Sequence, residues 1–100
     1  MDLRELKDKA AAVFAKGKFE KAAVLYTELC LKEPGDFQTK VRLGDAWARC
    51  GEKAKAINAY QAAAEGFAKS GLLHRAIAAS KLVLALDPSH RGVQQMLAGL

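Results

Sequence analysis

Gly17-Lys18-Phe19-Glu20-Lys21-Ala22-Ala23-Val24-Leu25-Tyr26 and Gly51-Glu52-Lys53-Ala54-Lys55-Ala56-Ile57-Asn58-Ala59-Tyr60 carry one pattern twice, 34 residues apart. In each, a glycine is followed by an alanine five places on and a tyrosine nine places on. Gly71 starts the pattern again with Ala76, and Gly17 and Gly71 are each followed at seventeen by a proline, Pro34 and Pro88. A period in this range marks a solenoid of stacked helix pairs. A lone pair cannot bury its own apolar face, so neighbours of the same kind must cover it.

Outward from the glycines, apolar residues recur at the 3/4 spacing of helices. Asp2 and Glu5 form a capping box ahead of Leu6, Ala10, Val13 and Phe14, and Gly17 supplies the left-handed residue that ends this first helix. A second helix over 19–32 carries Ala22, Ala23, Tyr26, Leu29 and Cys30, and Glu33-Pro34-Gly35-Asp36 breaks it. A third over 37–49 carries Val41, Leu43, Gly44, Ala46, Trp47 and Ala48. A fourth runs from 52 to 68 without a proline, a fifth from 72 to 86, and a last from 90 with Val93, Met96, Leu97 and Leu100. Short connections make sequential helices antiparallel neighbours. The expected fold is all-α, six helices in one domain over 1–100.

Composition narrows the function. The chain has 100 residues, 16 basic and 11 acidic, for a net charge of +5. Residues 1–36 balance to zero, so the excess lies in the C-terminal two-thirds. Such an excess favours an acidic partner, nucleic acid or anionic lipid, or simply solubilises helix ends. Cys30 and Cys50 are too few for a disulfide scaffold and read as reduced thiols in or near the core. The charged start, Met1 to Lys7, is no signal peptide. No run approaches the roughly 20 apolar residues of a membrane helix, so a soluble, cytoplasmic protein is expected. His74 and His90 stand alone and read as surface residues rather than metal ligands. No phosphate loop and no Ser/His/Asp or Cys/His/Asp arrangement occurs. The sequence reads as neither an enzyme nor a cofactor or metal binder.

These motifs resemble the tetratricopeptide repeat, a 34-residue helix-turn-helix unit. Residues 3–36 are similar to a first unit through Leu6, Ala10, Val13, Gly17, Ala22, Tyr26, Leu29 and Pro34. Residues 37–70 are similar to a second through Leu43-Gly44, Trp47, Gly51, Ala56, Tyr60 and Ala63. The third departs from the family: Gly71 follows Gly51 by 20 residues, so the fourth helix closes the second unit and opens a third over 57–90. Residues 91–100 start a further helix, and the segment is expected to be the N-terminal part of a longer protein. The resemblance implies a right-handed superhelical solenoid and a concave groove lined by the first helix of each unit. The implied groove residues are Arg4, Lys7, Ala11, Phe14 and Ala15, then Gln38, Val41, Asp45, Ala48 and Arg49. Asn58, Gln61, Glu65 and Lys69 follow on the fourth helix. A small apolar centre is expected around Phe14, Val41 and Ala48, with a basic end. Members that clamp a C-terminal carboxylate carry asparagines where this chain has Ala11 and Asp45, and a carboxylate there repels an incoming one.

The function this implies is a protein–protein interaction scaffold. It would bind a peptide or partner protein, acidic in character, through the groove or through an exposed apolar face of the last helix. The alternatives are nucleic-acid binding through the basic C-terminal two-thirds, or a structural or dimerisation module of a larger regulatory or signalling protein. A homo-oligomer formed through the last helix belongs to the same group of expectations.

Overall fold

The computed structural model describes all 100 residues. Six helices account for 80% of the chain: α1 Leu3–Ala15, α2 Phe19–Lys32, α3 Phe37–Arg49, α4 Lys53–Lys69, α5 Leu73–Leu86 and α6 Arg91–Gly99. They pack in sequence, each against the next, into a slab of 40 × 27 × 18 Å. A helical-repeat solenoid is the architecture that results.

The three glycine turns are copies of one another. Gly17, Gly51 and Gly71 have φ of 80°, 76° and 77°, a region open to glycine and strained for other residues. In each turn the next residue sends its N–H back to a helix carbonyl at 2.9 Å: Lys18 to Val13, Glu52 to Trp47 and Leu72 to Phe67. This is the bond that closes a Schellman C-cap. The same residue's carbonyl then accepts from the alanine of the pattern at 3.0 Å: Ala22, Ala56 and Ala76. One turn geometry thus starts α2, α4 and α5. The end of α4 is closed in the same way as the ends of α1 and α3.

Those three alanines are fully buried, as close helix crossing requires. Around them the core divides into packed groups. Leu6, Ala10, Val13, Ala22, Ala23, Tyr26, Leu29 and Ala46 join α1, α2 and α3. Ala63, Ala64, Phe67, Ala76 and Ala79 join α4 and α5, and Ala56, Tyr60, Val83 and Val93 bring in α6. α4 buries residues toward neighbours on both sides, while α6 buries only Val93.

The last helix departs from expectation. Its apolar pattern turns inward: Val93 is buried, and Met96 and Leu97 pack against the core. Only Leu100 stands out at 41% exposure, so no continuous apolar face is left on α6. His90, read from sequence as a plain surface residue, is half-buried and caps α6. Its Nδ1 accepts from the Val93 N–H at 3.1 Å. His74 is exposed, as expected.

Candidate functional site

α1 and α3 are each covered by α2 on one flank, and between them a groove opens over Tyr26. Its narrower part is a depression of about 220 Å³ walled by Ala11, Phe14, Tyr26, Arg42 and Asp45. It continues into a concavity of about 340 Å³ bounded by Lys7, Tyr26, Asp36, Gln38, Thr39 and Arg42. Tyr26 and Arg42 are common to both, so the two form one trough. The apolar floor is Ala11, the half-buried Phe14 ring and Tyr26.

Of the expected groove residues, Lys7, Ala11, Phe14, Gln38 and Asp45 line this trough. Val41 and Ala48 do not. Both are half-buried and pack toward Tyr60, Val83 and Val93 instead. The apolar centre expected around Phe14, Val41 and Ala48 is therefore replaced by one of Phe14, Ala11 and Tyr26. Arg4 is exposed one turn before Lys7 and outside the trough's walls, as is Ala15. Arg49 lies over the Phe14 and Phe19 rings, 5.9 and 5.4 Å from their centroids. On α4, Gln61 donates to Glu65 at 3.1 Å and lies beneath the first turn of α6, where a Cβ on Gly92 would come within 3.7 Å of its Nε2. Asn58, Glu65 and Lys69 are exposed.

The trough's charges are already engaged. Lys7 Nζ pairs with Asp36 Oδ2 at 3.1 Å and Glu33 Oε1 at 3.4 Å, which raises the lysine's affinity for its proton. Burial alone would push the Asp36 carboxyl up. Hydrogen bonds from Thr39 and the bond and charge of Lys7 outweigh it and hold the carboxyl below its ordinary value. The Tyr60 hydroxyl donates to Asp45 Oδ1 at 2.6 Å. Burial first, then this bond and the Asp45 charge, raise the Tyr60 hydroxyl far above the ordinary tyrosine value. Arg42 reaches Asp45 only at 4.0 Å and keeps 58% of its side chain in solvent, so it is the least satisfied ion of the trough. The basic end expected from sequence is thus largely neutralised.

Four wall residues, Tyr26, Asp36, Thr39 and Arg42, lie outside the groove set expected from sequence. Tyr26 reads as core, and it is 93% buried, yet its remaining surface forms the trough floor. The 3/4 pattern places Arg42 on a solvated face, and only the apposition of α1 shows which face that is. No group of three or more His, Cys, Asp or Glu side chains is placed to hold a metal ion. Cys30 and Cys50 are unpaired and half-buried, and burial pushes the Cys30 thiol up. No helix is long and apolar enough to cross a membrane.

No protein-family model and no curated protein matches the chain. Solved structures do. The type III secretion chaperone SycD of Yersinia enterocolitica, in complex with a peptide of the translocator YopD, matches with a TM-score of 0.59 at 23% identity. The match covers 97% of this chain and 90% of that one. SycD in an alternative dimer gives the same score and identity, over 97% and 89%. The first TPR of Spaghetti (RPAP3), bound to the HSP90 peptide SRMEEVD, gives a TM-score of 0.55 at 21% identity, over 97% and 88%. At such identities the likeness is one of fold: this chain has a tetratricopeptide-like, all-helical fold.

Proposed function

We propose that this chain is a protein-interaction scaffold that holds a short peptide in the trough between α1 and α3. The carrying observation is the trough itself: an apolar floor of Ala11, Phe14 and Tyr26 flanked by polar side chains. A concave, mostly apolar site with a few fixed polar groups is the usual form of a ligand pocket. The two matched folds were each solved with a peptide, which supports a peptide here as well. We read the units as 3–36, 37–70 and 57–90, with α4 shared, so the trough belongs to the first two.

The same geometry argues for a particular peptide. Lys7 is occupied by Asp36 and Glu33, so it is not free to clamp a terminal carboxylate, and the Asp45 carboxylate repels one. An apolar side chain over Phe14, followed by an acidic or polar group near Arg42, fits better. Nucleic-acid binding has less support, because Tyr26 and Tyr60 are 7% and 4% exposed and offer no ring face for a base.

Selection from a random peptide library tests the reading. Wild-type protein should enrich a common apolar-plus-acidic motif. Ala11→Arg fills the depression from an exposed position, so it should retain the wild-type melting temperature and lose at least about tenfold in affinity for the selected peptide, as filling a preformed apolar site removes most of its contacts. Equal binding by Ala11→Arg would sink the trough as the site.

A further inference from the structure

A further concavity lies outside the trough. It measures about 540 Å³ and sits between the Gly17 turn and the end of α3. Its walls include Lys18, Phe19, Glu20 and Lys21 from the start of α2, and Arg49 and Cys50 from the end of α3. Three cations face it, with one carboxylate.

Arg49 is the distinctive group. Phe14 and Phe19 lock edge to face, with centroids 5.0 Å apart at 71°. The Arg49 guanidinium lies over both rings. It makes no ion pair, and neither do Lys18 and Lys21. Lys7, Arg42 and Lys55, by contrast, each have a carboxylate within 4.0 Å. A planar guanidinium lying over two rings with its donors uncommitted can take a carboxylate in a two-bond fork.

We propose that this concavity is a second docking surface, for an acidic peptide segment whose carboxylates pair with Arg49, Lys18 and Lys21. The three cations are spread along one open surface, so the fitting occupant is a chain carrying several carboxylates. The one aromatic wall of this concavity, Phe19, is engaged with Phe14 and Arg49, which leaves no platform at this surface for stacking a nucleic-acid base. None of its wall residues lines the peptide trough, and the proposal does not depend on that site.

Titration of ¹⁵N-labelled protein with a hexaglutamate peptide reads the surface directly. The largest amide shifts are expected at residues 17–21 and 49–50. Arg49→Gln should weaken binding about tenfold, the loss of one charge-assisted hydrogen-bonded pair, while Lys81→Gln on α5 should leave it unchanged. Should Arg49→Gln fail to fold, the double variant Lys18→Gln/Lys21→Gln carries the same expectation. The proposal is overturned if Lys81→Gln weakens binding equally, which would mean diffuse charge. It is also overturned if the shifts centre on Ala11, Tyr26 and Gln38, or if no shift appears at millimolar peptide. Tighter binding of a hexathymidylate at residues 17–21 and 49–50 would assign the surface to nucleic acid instead.

Discussion

Two glycines set how closely α3 and α4 approach. A Cβ on Gly44 would lie 2.5 Å from the Tyr60 ring, and one on Gly66 would run into the Phe37 ring. The contacts are reciprocal: α3 offers a glycine to an α4 tyrosine, and α4 offers a glycine to an α3 phenylalanine. Phe37 is then seated edge to face against Phe67, with centroids 5.9 Å apart. Gly44→Ala and Gly66→Ala should each overpack this contact at roughly 1–3 kcal/mol. The better helix propensity of alanine returns about 1 kcal/mol, so a net loss of up to about 2 kcal/mol is expected in urea unfolding. Gly35→Ala is the control, since nothing lies within 4 Å of its Cβ and its φ is ordinary. If Gly44→Ala and Gly66→Ala were as stable as Gly35→Ala, the rings could not be resting on the glycine backbones. Gly44 was legible in the sequence as half of the Leu43-Gly44 pair. Gly66 was not, because a glycine inside a helical pattern does not announce which ring from another helix will cover it.

At the scale of the element, helix ends were the most legible feature, because glycines at positive φ and Asx caps act within a few residues. Every helix lies within one residue of its sequence reading. The trough was less legible. Positions 41, 45 and 48 of α3 share one face, and how that face divides between the trough and α4 depends on a crossing angle that spacing does not encode. The Lys7–Asp36 pair was invisible for the same reason, since its partners are 29 residues apart and meet only when α1 lies beside the α2–α3 turn. Asp36 does two jobs there. It caps α3 by accepting from the Thr39 N–H at 3.1 Å, and it ties α1 to the turn through Lys7. Its folded-state proton affinity is lowered, so its contribution is present above the ordinary aspartate value of about 4 and is lost as pH falls through the lower folded value. Asp36→Ala should cost about 0.5–2 kcal/mol at neutral pH, the range of a lost N-cap. Its urea midpoint should also fall less steeply than wild type below pH 4. Parallel acid limbs for the two proteins would remove Asp36 as the group that titrates.

At the scale of the whole molecule, contacts run along the chain and there is no central core. The group around Leu6, Leu29 and Ala46 touches the C-terminal groups only through α3, and α4 buries more side chains than any other helix. In such a stack, stability is close to a sum of local terms and nearest-neighbour interfaces. The cost of opening each helix should then follow its place in the row. α6 is the extreme case: nine residues, a histidine cap, and one fully buried side chain, Val93. Its hold on the stack rests on that valine and the half-buried Met96 and Leu97. Native-state hydrogen exchange should therefore rank the helices, with α4 amides slowest, α1 faster and α6 fastest, since regions with few buried contacts open at the lowest free energy. Val93→Ala removes about two methyl groups, worth roughly 2 kcal/mol with the cavity it leaves. It should speed exchange in α6 far more than in α1, because no shared core carries the loss to the other end. Equal acceleration in α1 and α6 would mean that the six helices open together, and the row would have to be treated as one cooperative unit.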